Sequence, residues 1–350
     1  EALKKDADAR KLYAAGSYLP AGAMFLEAAQ GMLPSEKHAR IAHTTYASNV
    51  ELTCRNAGLA YLMGEQEAQL KQEAAKATWP CQQGLEHSLT LASPVELTYL
   101  ANEGVLVQAF GRAIVIDGLH RFYGPEYAVL PAPEREQLEQ AQADYGKVDV
   151  VIASHRHGDH FSAEATAMHL QANPQAVFYG PPQTVKLLLA LAGANEVAGR
   201  VHAIDATPGA STTVTVPGKP ATELEFLGLR HVGKRHTAVE NLGVLVTLDG
   251  VKVLHVGDAV GDAANLAGFG LAGRKLDAAL IPFWYLDTPS SRRVVAEQIA
   301  ARQVFAFHID PRDGVGVHAE PEVWSKRWPG GVPMVDTLRV WPIFRATTSN

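Results

Sequence analysis

Four side chains of types that bind metal ions lie within six residues of one another in this sequence. They are, in order, His155, His157, Asp159 and His160. Imidazole nitrogens and carboxylate oxygens are ligands for Zn²⁺ and for other divalent first-row metals. A single helix could not turn all four toward one point, whereas a tight loop containing Gly158 can. The spacing therefore predicts a metal site, and the alternative is a histidine-rich surface loop.

A rigid element is needed to position these side chains. An apolar run at residues 147–153 (KVDVVIA) directly precedes them. Such a run predicts a buried strand. Three more candidates follow predicted strands later in the chain: His231 after residues 223–230, Asp258 at the end of VLHVGD, and His308 at the end of FAFH. Taken singly, each has an ordinary explanation, as a turn residue or a histidine packed in the core.

A second histidine, His236, lies five residues after His231 and competes with it as a ligand. We favour His231, because a strand end holds a side chain rigidly, whereas His236 lies in a polar loop. His255 precedes Asp258 on the same predicted strand. Because neighbouring strand residues face opposite sides, we expect His255 in the core or supporting the ligands.

The alternation of strands and helices predicts the fold class. Predicted strands share β-branched and apolar residues, and they cover residues 96–108, 112–117, 147–153, 212–216, 223–229, 242–248, 251–256, 278–282 and 304–308. Predicted helices between them cover residues 163–171, 183–192 and 293–301. Two strand-rich halves with helices between them favour an α/β fold, an αββα sandwich.

The motif His-x-His-x-Asp-His after a buried strand resembles the signature of the metallo-β-lactamase superfamily, and the later motifs follow in the same order. The resemblance covers roughly residues 93–345. Residues 97–107 (LTYLANEGVLV) and 113–118 (AIVIDG) resemble the opening hairpin of that superfamily. Residues 241–258 resemble its lactonase-like branch, which includes L-ascorbate-6-phosphate lactonase. The resemblance implies a metal-dependent hydrolase.

It also implies a role for each candidate residue. The first metal would be bound by His155, His157 and His231, and the second by Asp159, His160 and His308, with Asp258 shared. Asp117 would brace the ligand loop. A hydroxide bridging two divalent metal ions, held by Asp159 and Asp258, would attack a lactone, phosphoester or amide, since metal coordination lowers the pKa of water to about 7. We expect zinc, with manganese or iron as alternatives.

Two other functions are consistent with the sequence. One is a protein without catalytic activity that binds metal and uses its helical N-terminal region to bind a partner. The other is a di-iron redox enzyme, although such enzymes normally carry a flavin-binding domain, and the sequence contains no such segment.

Residues 1–92 differ from the rest of the chain. They are rich in Ala and Leu, with apolar positions three and four residues apart, and predict helices over residues 4–16, 20–32, 35–63 and 65–77. Residues 11–29 resemble a tetratricopeptide helix pair, but one pair is too short for a solenoid. We therefore expect a small helical region at 1–92, a linker at 79–94, and a hydrolase domain at 93–350.

Composition limits the possible partners and compartments. The net charge of −6 argues against nucleic acid, and no apolar run approaches the ~20 residues of a membrane span. We expect a small-molecule substrate. Cys54 and Cys81 are either free thiols or one disulfide. Because the sequence begins at Glu1, consistent with a removed signal peptide, we expect a periplasmic or secreted protein, with the cytoplasm as the alternative.

Loops near the predicted site supply further candidates for substrate contact. An aromatic run contains Phe283, Trp284 and Tyr285, for which core packing is the alternative. Two sets of polar residues are also candidates, one after Asp117 and one after His308. The alternative for these residues is that they are exposed loop residues with no role in substrate binding. They are His120, Arg121 and Tyr123, and then Asp310, Arg312 and His318.

Overall fold

Two seven-stranded mixed sheets form the larger part of this computed structural model. The structure describes residues 95–109, 111–218, 222–312, 329–335 and 337–343, together with 18–32 and, in the N-terminal region, 4–5, 8–9, 11–12, 53–54, 56–57, 60–61, 72–73, 76–77 and 81. The chain divides into two units, Glu1–Pro94 with Thr347–Asn350, and Val95–Ala346.

The first sheet has the strand order β14-β1-β2-β3-β4-β5-β6. Its strands are β1 (Val95–Ala101), β2 (Gly104–Ala109), β3 (Arg112–Ile116), β4 (Val150–Ile152), β5 (Val177–Gly180), β6 (Val201–Ala203) and β14 (Val340–Ile343). Strands β14, β1, β2 and β3 are antiparallel, and β3 to β6 are parallel. Strands β3 and β4 therefore end at the same edge of the sheet.

The second sheet repeats this plan in the order β13-β12-β11-β10-β9-β8-β7. Its strands are β7 (Ser211–Val216), β8 (Thr222–Arg230), β9 (Glu240–Leu248), β10 (Val251–His255), β11 (Ala278–Pro282), β12 (Gln303–Phe307) and β13 (Val332–Pro333). Strands β7 to β10 are antiparallel, and β10 to β13 are parallel. Parallel neighbours need crossover connections, which are usually helical.

Helices and single turns fill these connections. After α1 in the first unit (Tyr18–Met32), the α-helices are α2 (Ala132–Glu139), α3 (Ala163–Ala172), α4 (Pro182–Leu189), α5 (Ala263–Leu266), α6 (Trp284–Asp287) and α7 (Pro289–Val294). Short 3₁₀ turns cover Ala143–Lys147, Ala194–Glu196, Ala198–Arg200, Lys234–His236, Ala267–Phe269 and Leu271–Arg274, and a π-turn covers Val295–Ile299.

The main core lies between the sheets, because alternate side chains of each strand point inward. Phe226, Phe305 and Phe307 of the second sheet and Leu97 and Tyr99 of the first all belong to it and are at most 1% exposed. A second apolar layer joins the outer face of the first sheet to α3 and α4, and a third covers the outer face of the second sheet. These layers confirm the predicted αββα sandwich.

One strand prediction is wrong. Residues 96–108, expected as one strand, form β1 and β2 with a turn at Asn102-Glu103 between them. Asn102 has a φ of 49°, the left-handed conformation that Asn tolerates better than most residues, and so the chain reverses there. A polar pair inside an apolar run was the available signal for this turn.

In the first unit, α1 buries Ala21, Phe25 and Ala29, which lie four residues apart on one face. These side chains pack with Ala57 and Tyr61, among others. Cys54 and Cys81 form a disulfide. Residues 13–17, 35–50 and 62–71 of the predicted helices, and the predicted linker apart from Cys81, lie outside the described residues. Across the described part of the chain, no helix combines the length and apolarity needed to cross a bilayer.

Candidate metal centre

Every candidate ligand predicted from the sequence follows a strand at one edge of the sandwich. The loop with His155, His157, Asp159 and His160 follows β4. His231 follows β8, Asp258 lies three residues after β10, and His308 follows β12. The first sheet therefore supplies one half of the site and the second sheet the other half.

Asp117, which follows β3, holds the loop that contains residues 155–160 in place through hydrogen bonds. Its Oδ1 accepts a hydrogen bond from the Ser154 amide at 2.7 Å, and its Oδ2 accepts one from Ser154 Oγ at 2.5 Å. The same Oδ2 lies 2.9 Å from Nδ1 of His160. Asp117 thus contacts both ends of the loop, as the resemblance implied.

A glycine at position 257 lets the Asp258 backbone approach this loop. Gly257 has a φ of 55°, and a Cβ there would lie 2.6 Å from Asn241 Oδ1 and 2.8 Å from Ser154 Cβ. Asn241 Oδ1 also accepts a hydrogen bond from the Asp258 amide at 3.1 Å. A side chain at Gly257 would separate the two halves of the site.

The first group of candidate ligands consists of His155, His157, His231 and Asp258, whose ligand atoms all lie within 4.8 Å of one another. His155 Nε2 lies 3.0 Å from His157 Nδ1 and 3.3 Å from His231 Nε2. His231 Nε2 lies 3.4 Å from Asp258 Oδ2. Ligand atoms that bind one tetrahedral metal ion at about 2.0–2.1 Å are separated from one another by similar distances.

The second group surrounds the other oxygen of Asp258. Oδ1 of Asp258 lies 3.6 Å from Nε2 of His160 and 3.6 Å from Nε2 of His308. Asp159 Oδ2 lies 3.2 and 3.3 Å from the same two nitrogens. Glu103, which sequence analysis missed, has a carboxylate oxygen within 4.8 Å of a ring nitrogen of His160, a ring nitrogen of His308 and a carboxylate oxygen of Asp258.

The unpaired atoms of these residues fit a divalent cation. His160 Nε2, Asp258 Oδ1 and both carboxylate oxygens of Glu103 are buried without a hydrogen-bond partner among the described residues. His231 Nδ1 donates to the Val232 carbonyl at 2.6 Å, so its Nε2 lone pair faces the site. Buried polar atoms are normally hydrogen-bonded. One cation in each group would satisfy these atoms.

Electrostatics favour metal binding by the same residues. Burial, and then the charge of His160, holds the pKa of His155 well below its usual value. Burial, and then His231, lowers the pKa of His157 to about 4. Both imidazoles are therefore neutral at pH 7, as metal ligation requires.

The carboxylates of Asp159 and Asp258 are held in their charged form, whereas burial, and then the charge of Asp258, raises the pKa of Glu103 well above its usual value. Burial alone would raise the pKa of Asp159, but His160 and His308 outweigh it and lower that pKa. The pKa of Asp258 is also lowered, because His308 and His160 outweigh its burial. Burial would lower the pKa of His160, yet Asp159 and Asp258 raise it. This accumulated negative charge favours a cation.

His236 lies beside the first group but outside it. Its exposed ring centre is 4.9 Å from that of His157 and 5.1 Å from that of His231. His255 is fully buried, with Nε2 donating to the Glu103 carbonyl at 3.0 Å and Nδ1 accepting from the Gly257 amide at 3.1 Å. It supports the site, as expected.

Aromatic rings border the second group. Trp284 has its ring centre 5.1 Å from that of His308 and donates from Nε1 to the Ala259 carbonyl at 3.1 Å. Tyr127, which sequence analysis did not single out, lies 5.5 Å from His308. Phe283 packs on Trp284, whereas Tyr285 is fully buried in the core. Within the predicted aromatic run, Trp284 contacts a candidate ligand, His308.

The remaining candidates lie in different environments. His120 is buried, whereas Arg121 makes a bidentate ion pair with Glu139 at 2.9 and 2.7 Å. Tyr123 covers Gly158, where a Cβ would lie 2.5 Å from its ring. Asp310 and Arg312 pair with each other at 2.7 Å, on the surface. His318 lies outside the described residues.

A cavity of about 480 Å³ opens beside His231. Apolar and polar side chains share its wall, among them Pro182, Asp205, Thr207, Arg230, Lys234 and Val239. Arg230 is paired with Asp262 at 2.8 Å. Volumes of this size are typical of pockets that bind small molecules.

The chain is similar to several solved structures, and the first of those described here shows the same fold. A possible metal-dependent hydrolase from Veillonella parvula DSM 2008 is 14% identical, with a TM-score of 0.50 over 71% of this chain and 100% of that chain. The isothiocyanate hydrolase from Delia radicum gut bacteria is 17% identical, with a TM-score of 0.49 over 71% and 99%. Igni18, a novel metallo hydrolase from Ignicoccus hospitalis KIN4/I, is 15% identical, with a TM-score of 0.44 over 71% and 98%.

The sequence itself identifies the family. No curated protein matches it. The family described as the beta-lactamase superfamily domain matches residues 112–321, which include every candidate ligand named from the sequence. The chain therefore belongs to the metallo-β-lactamase superfamily.

Proposed function

We propose that the protein is a binuclear hydrolase that cleaves a lactone, a phosphoester or an amide with the help of two divalent metal ions. The observation that carries this proposal is the position of Asp258. Its Oδ2 faces His231 at 3.4 Å, and its Oδ1 faces His160 and His308 at 3.6 Å. One carboxylate can therefore serve two metal ions, as a binuclear site requires.

The ligand roles follow from this arrangement. His155, His157 and His231 would hold the first metal, while Asp159, His160 and His308 would hold the second. Bound metal ions would lower the pKa of water and polarise the bond to be cleaved. Asp159 and Asp258 keep their negative charge and can orient a water molecule. The rings of Trp284 and Tyr127, 5.1 and 5.5 Å from that of His308, would limit the access of bulk water there.

The substrate would enter the cavity beside His231. Its partly apolar wall fits a small organic molecule, and Lys234 supplies a cation for a carboxylate or phosphate group on it. These features and the sequence resemblance at residues 241–258 both support the lactonase-like branch. A substrate screen should therefore begin with lactones.

Metal identity and location are further parts of the proposal. Three imidazoles in the first group favour zinc, and the carboxylates of the second group also suit manganese or iron.

We propose a periplasmic or secreted location, because disulfides such as that between Cys54 and Cys81 persist mainly in oxidising compartments.

The test is metal content and activity measured on the same preparations. We expect about two metal ions per chain by mass spectrometry, and hydrolysis of at least one lactone, phosphodiester or amide. His155→Ala and Asp258→Asn should lose metal and at least about 100-fold in rate, whereas the exposed His202→Ala should keep both. Wild-type protein that stays metal-free after reloading would overturn the proposal.

A further inference from the structure

Glu103 is a charged residue with no exposure to solvent. It lies in the turn between β1 and β2, next to Asn102. Glutamate is almost never fully buried unless it is paired. Both of its carboxylate oxygens nevertheless lack a hydrogen-bond partner among the residues that the structure describes.

The backbone of this turn, in contrast, is firmly held. The Glu103 carbonyl accepts a hydrogen bond from His255 Nε2 at 3.0 Å, and the Asn102 carbonyl accepts one from the His308 amide at 3.2 Å. The Asn102 side chain donates to the carbonyl and to Oδ2 of Asp159 at 3.1 and 3.2 Å. The turn is thus tied to the segments that carry three candidate ligands.

This anchoring places the Glu103 carboxylate against the second group. Oε2 lies 3.7 Å from Nδ1 of His160, the ring nitrogen that also faces Asp117. One carboxylate oxygen or ring nitrogen from each of four residues lies within 4.8 Å of the other three. These residues are Glu103, His160, Asp258 and His308. His160 Nε2 and Asp258 Oδ1 lack partners there as well. Four unpaired atoms from three residues therefore meet in one buried space.

We propose that Glu103 is a direct ligand of the second metal ion, an inference that rests on the binuclear site proposed above. The second ion then has three carboxylates, from Glu103, Asp159 and Asp258, and two imidazoles. The first ion has three imidazoles and one shared carboxylate. Because oxygen ligands favour Mn²⁺ and Fe²⁺ more than imidazole does, the two positions differ in metal preference, and Mn²⁺ competes best at the second.

The competing role for Glu103 is that of a neutral carboxylic acid that donates a hydrogen bond to Asp258. Glu103→Gln distinguishes the two roles. Glutamine has nearly the same shape and can donate that hydrogen bond, but it is a poor ligand for a cation. Glu103→Asp keeps the charge on a shorter side chain, and His308→Ala removes an independent candidate ligand of the same ion.

The experiment is a chelator-competition titration with Zn²⁺ or Mn²⁺ alone. For Glu103→Gln we expect an unchanged first equivalent, and a second equivalent weakened at least about tenfold and shifted from Mn²⁺ toward Zn²⁺. Glu103→Asp should recover part of the Mn²⁺ affinity. Exposed Glu223→Gln is the matched control and should behave as the wild type.

The outcomes separate the two proposals. If the wild type binds two ions and Glu103→Gln binds both with unchanged affinity and unchanged preference, Glu103 is not a ligand, and the binuclear hydrolase stands. If the wild type cannot bind a second ion, the proposed function itself fails. Circular dichroism and thermal unfolding of the metal-free proteins report folding. There Glu103→Gln should be at least as stable as the wild type, because it removes an unpaired buried carboxyl group.

Discussion

Asp117 Oδ2 lies 2.9 Å from Nδ1 of His160, while Oδ1 of the same carboxylate accepts the Ser154 amide at 2.7 Å. A carboxylate in this position accepts the Nδ1 proton of His160, which leaves the Nε2 lone pair directed at the second group. One residue therefore sets both the position of the ligand loop and the tautomer of one of its histidines.

Asp117→Asn should weaken the second metal about 10- to 100-fold. An amide nitrogen facing Nδ1 of His160 would donate a hydrogen bond to it, so Nδ1 would have to be the acceptor, and the ring proton would then lie on Nε2 and block ligation. Chelator competition measures this loss. The exposed Asp144→Asn is the control, and an Asp117→Asn protein with unchanged affinity for both ions would contradict the tautomer argument.

His231 and His236 should differ sharply when each is replaced by alanine. His231 Nε2 lies 3.3 Å from that of His155, whereas the His236 ring is exposed beside the group. We expect His231→Ala to lose about one metal per chain and His236→Ala to keep both. Mass spectrometry of the two purified variants decides between them. The opposite pattern would make His236 the third ligand.

Arg112 should contribute to stability without affecting the metal site. It is buried on β3 of the first sheet, donates to Thr222 Oγ1 on β8 of the second at 3.2 Å and to the Pro217 carbonyl at 2.6 Å, and pairs with Asp149 at 3.2 Å. Because Asp149 is partly exposed, that pair adds little.

We expect Arg112→Met to lower the free energy of unfolding by about 1–3 kcal/mol, since it removes the hydrogen bonds that Arg112 donates to Thr222 Oγ1 and to the Pro217 carbonyl. Urea denaturation measures this change, and metal content serves as the control because Arg112 touches no candidate ligand. A variant that unfolds at the same urea concentration as the wild type would show that solvent replaces these bonds without cost.

His169 should make stability sensitive to acid. It is buried on α3, where Nδ1 donates to the Leu138 carbonyl at 2.6 Å. Burial lowers its pKa from 6.5, and Arg200 lowers it further, although the Leu138 hydrogen bond opposes the shift. The folded protein therefore binds this proton less readily than the unfolded chain does.

The neutral imidazole thus contributes stability that is fully present above about pH 6.5 and is lost as the pH falls through the lower folded pKa. His169→Gln should flatten the fall in unfolding free energy between about pH 6.5 and pH 5. Denaturation of both proteins at several pH values tests this, with the exposed His202→Gln as the control. Parallel curves for the wild type and His169→Gln would contradict it.

The fold and most of the candidate site could be predicted from the sequence, because both depend on local patterns. Runs such as residues 147–153 identify buried strands, and ligands that follow strand ends meet where parallel strands share an edge. His155, His231, Asp258 and His308 could be found in this way without any structure, and their geometry is consistent with the predicted groups.

Glu103 could not be found by the same reasoning. Treating residues 96–108 as one strand hid the turn at Asn102, whose left-handed backbone places the carboxylate beside His160. Tyr127 was missed for a related reason, since it lies in an irregular loop whose path depends on tertiary contacts. The preference for His231 over His236, in contrast, could be argued from the sequence, because His231 directly follows a predicted strand and His236 lies in a polar loop.

The ligand set is divided along the chain as well as in space. Residues up to 160 supply the loop after β4 and the turn with Glu103, and residues from 231 onward supply His231, Asp258 and His308. A polypeptide cut near residues 219–221, between β7 and β8, would leave two fragments that each hold an incomplete coordination sphere. Added metal ions would then favour reassembly of the two fragments, because a complete ligand set forms only when the fragments are together.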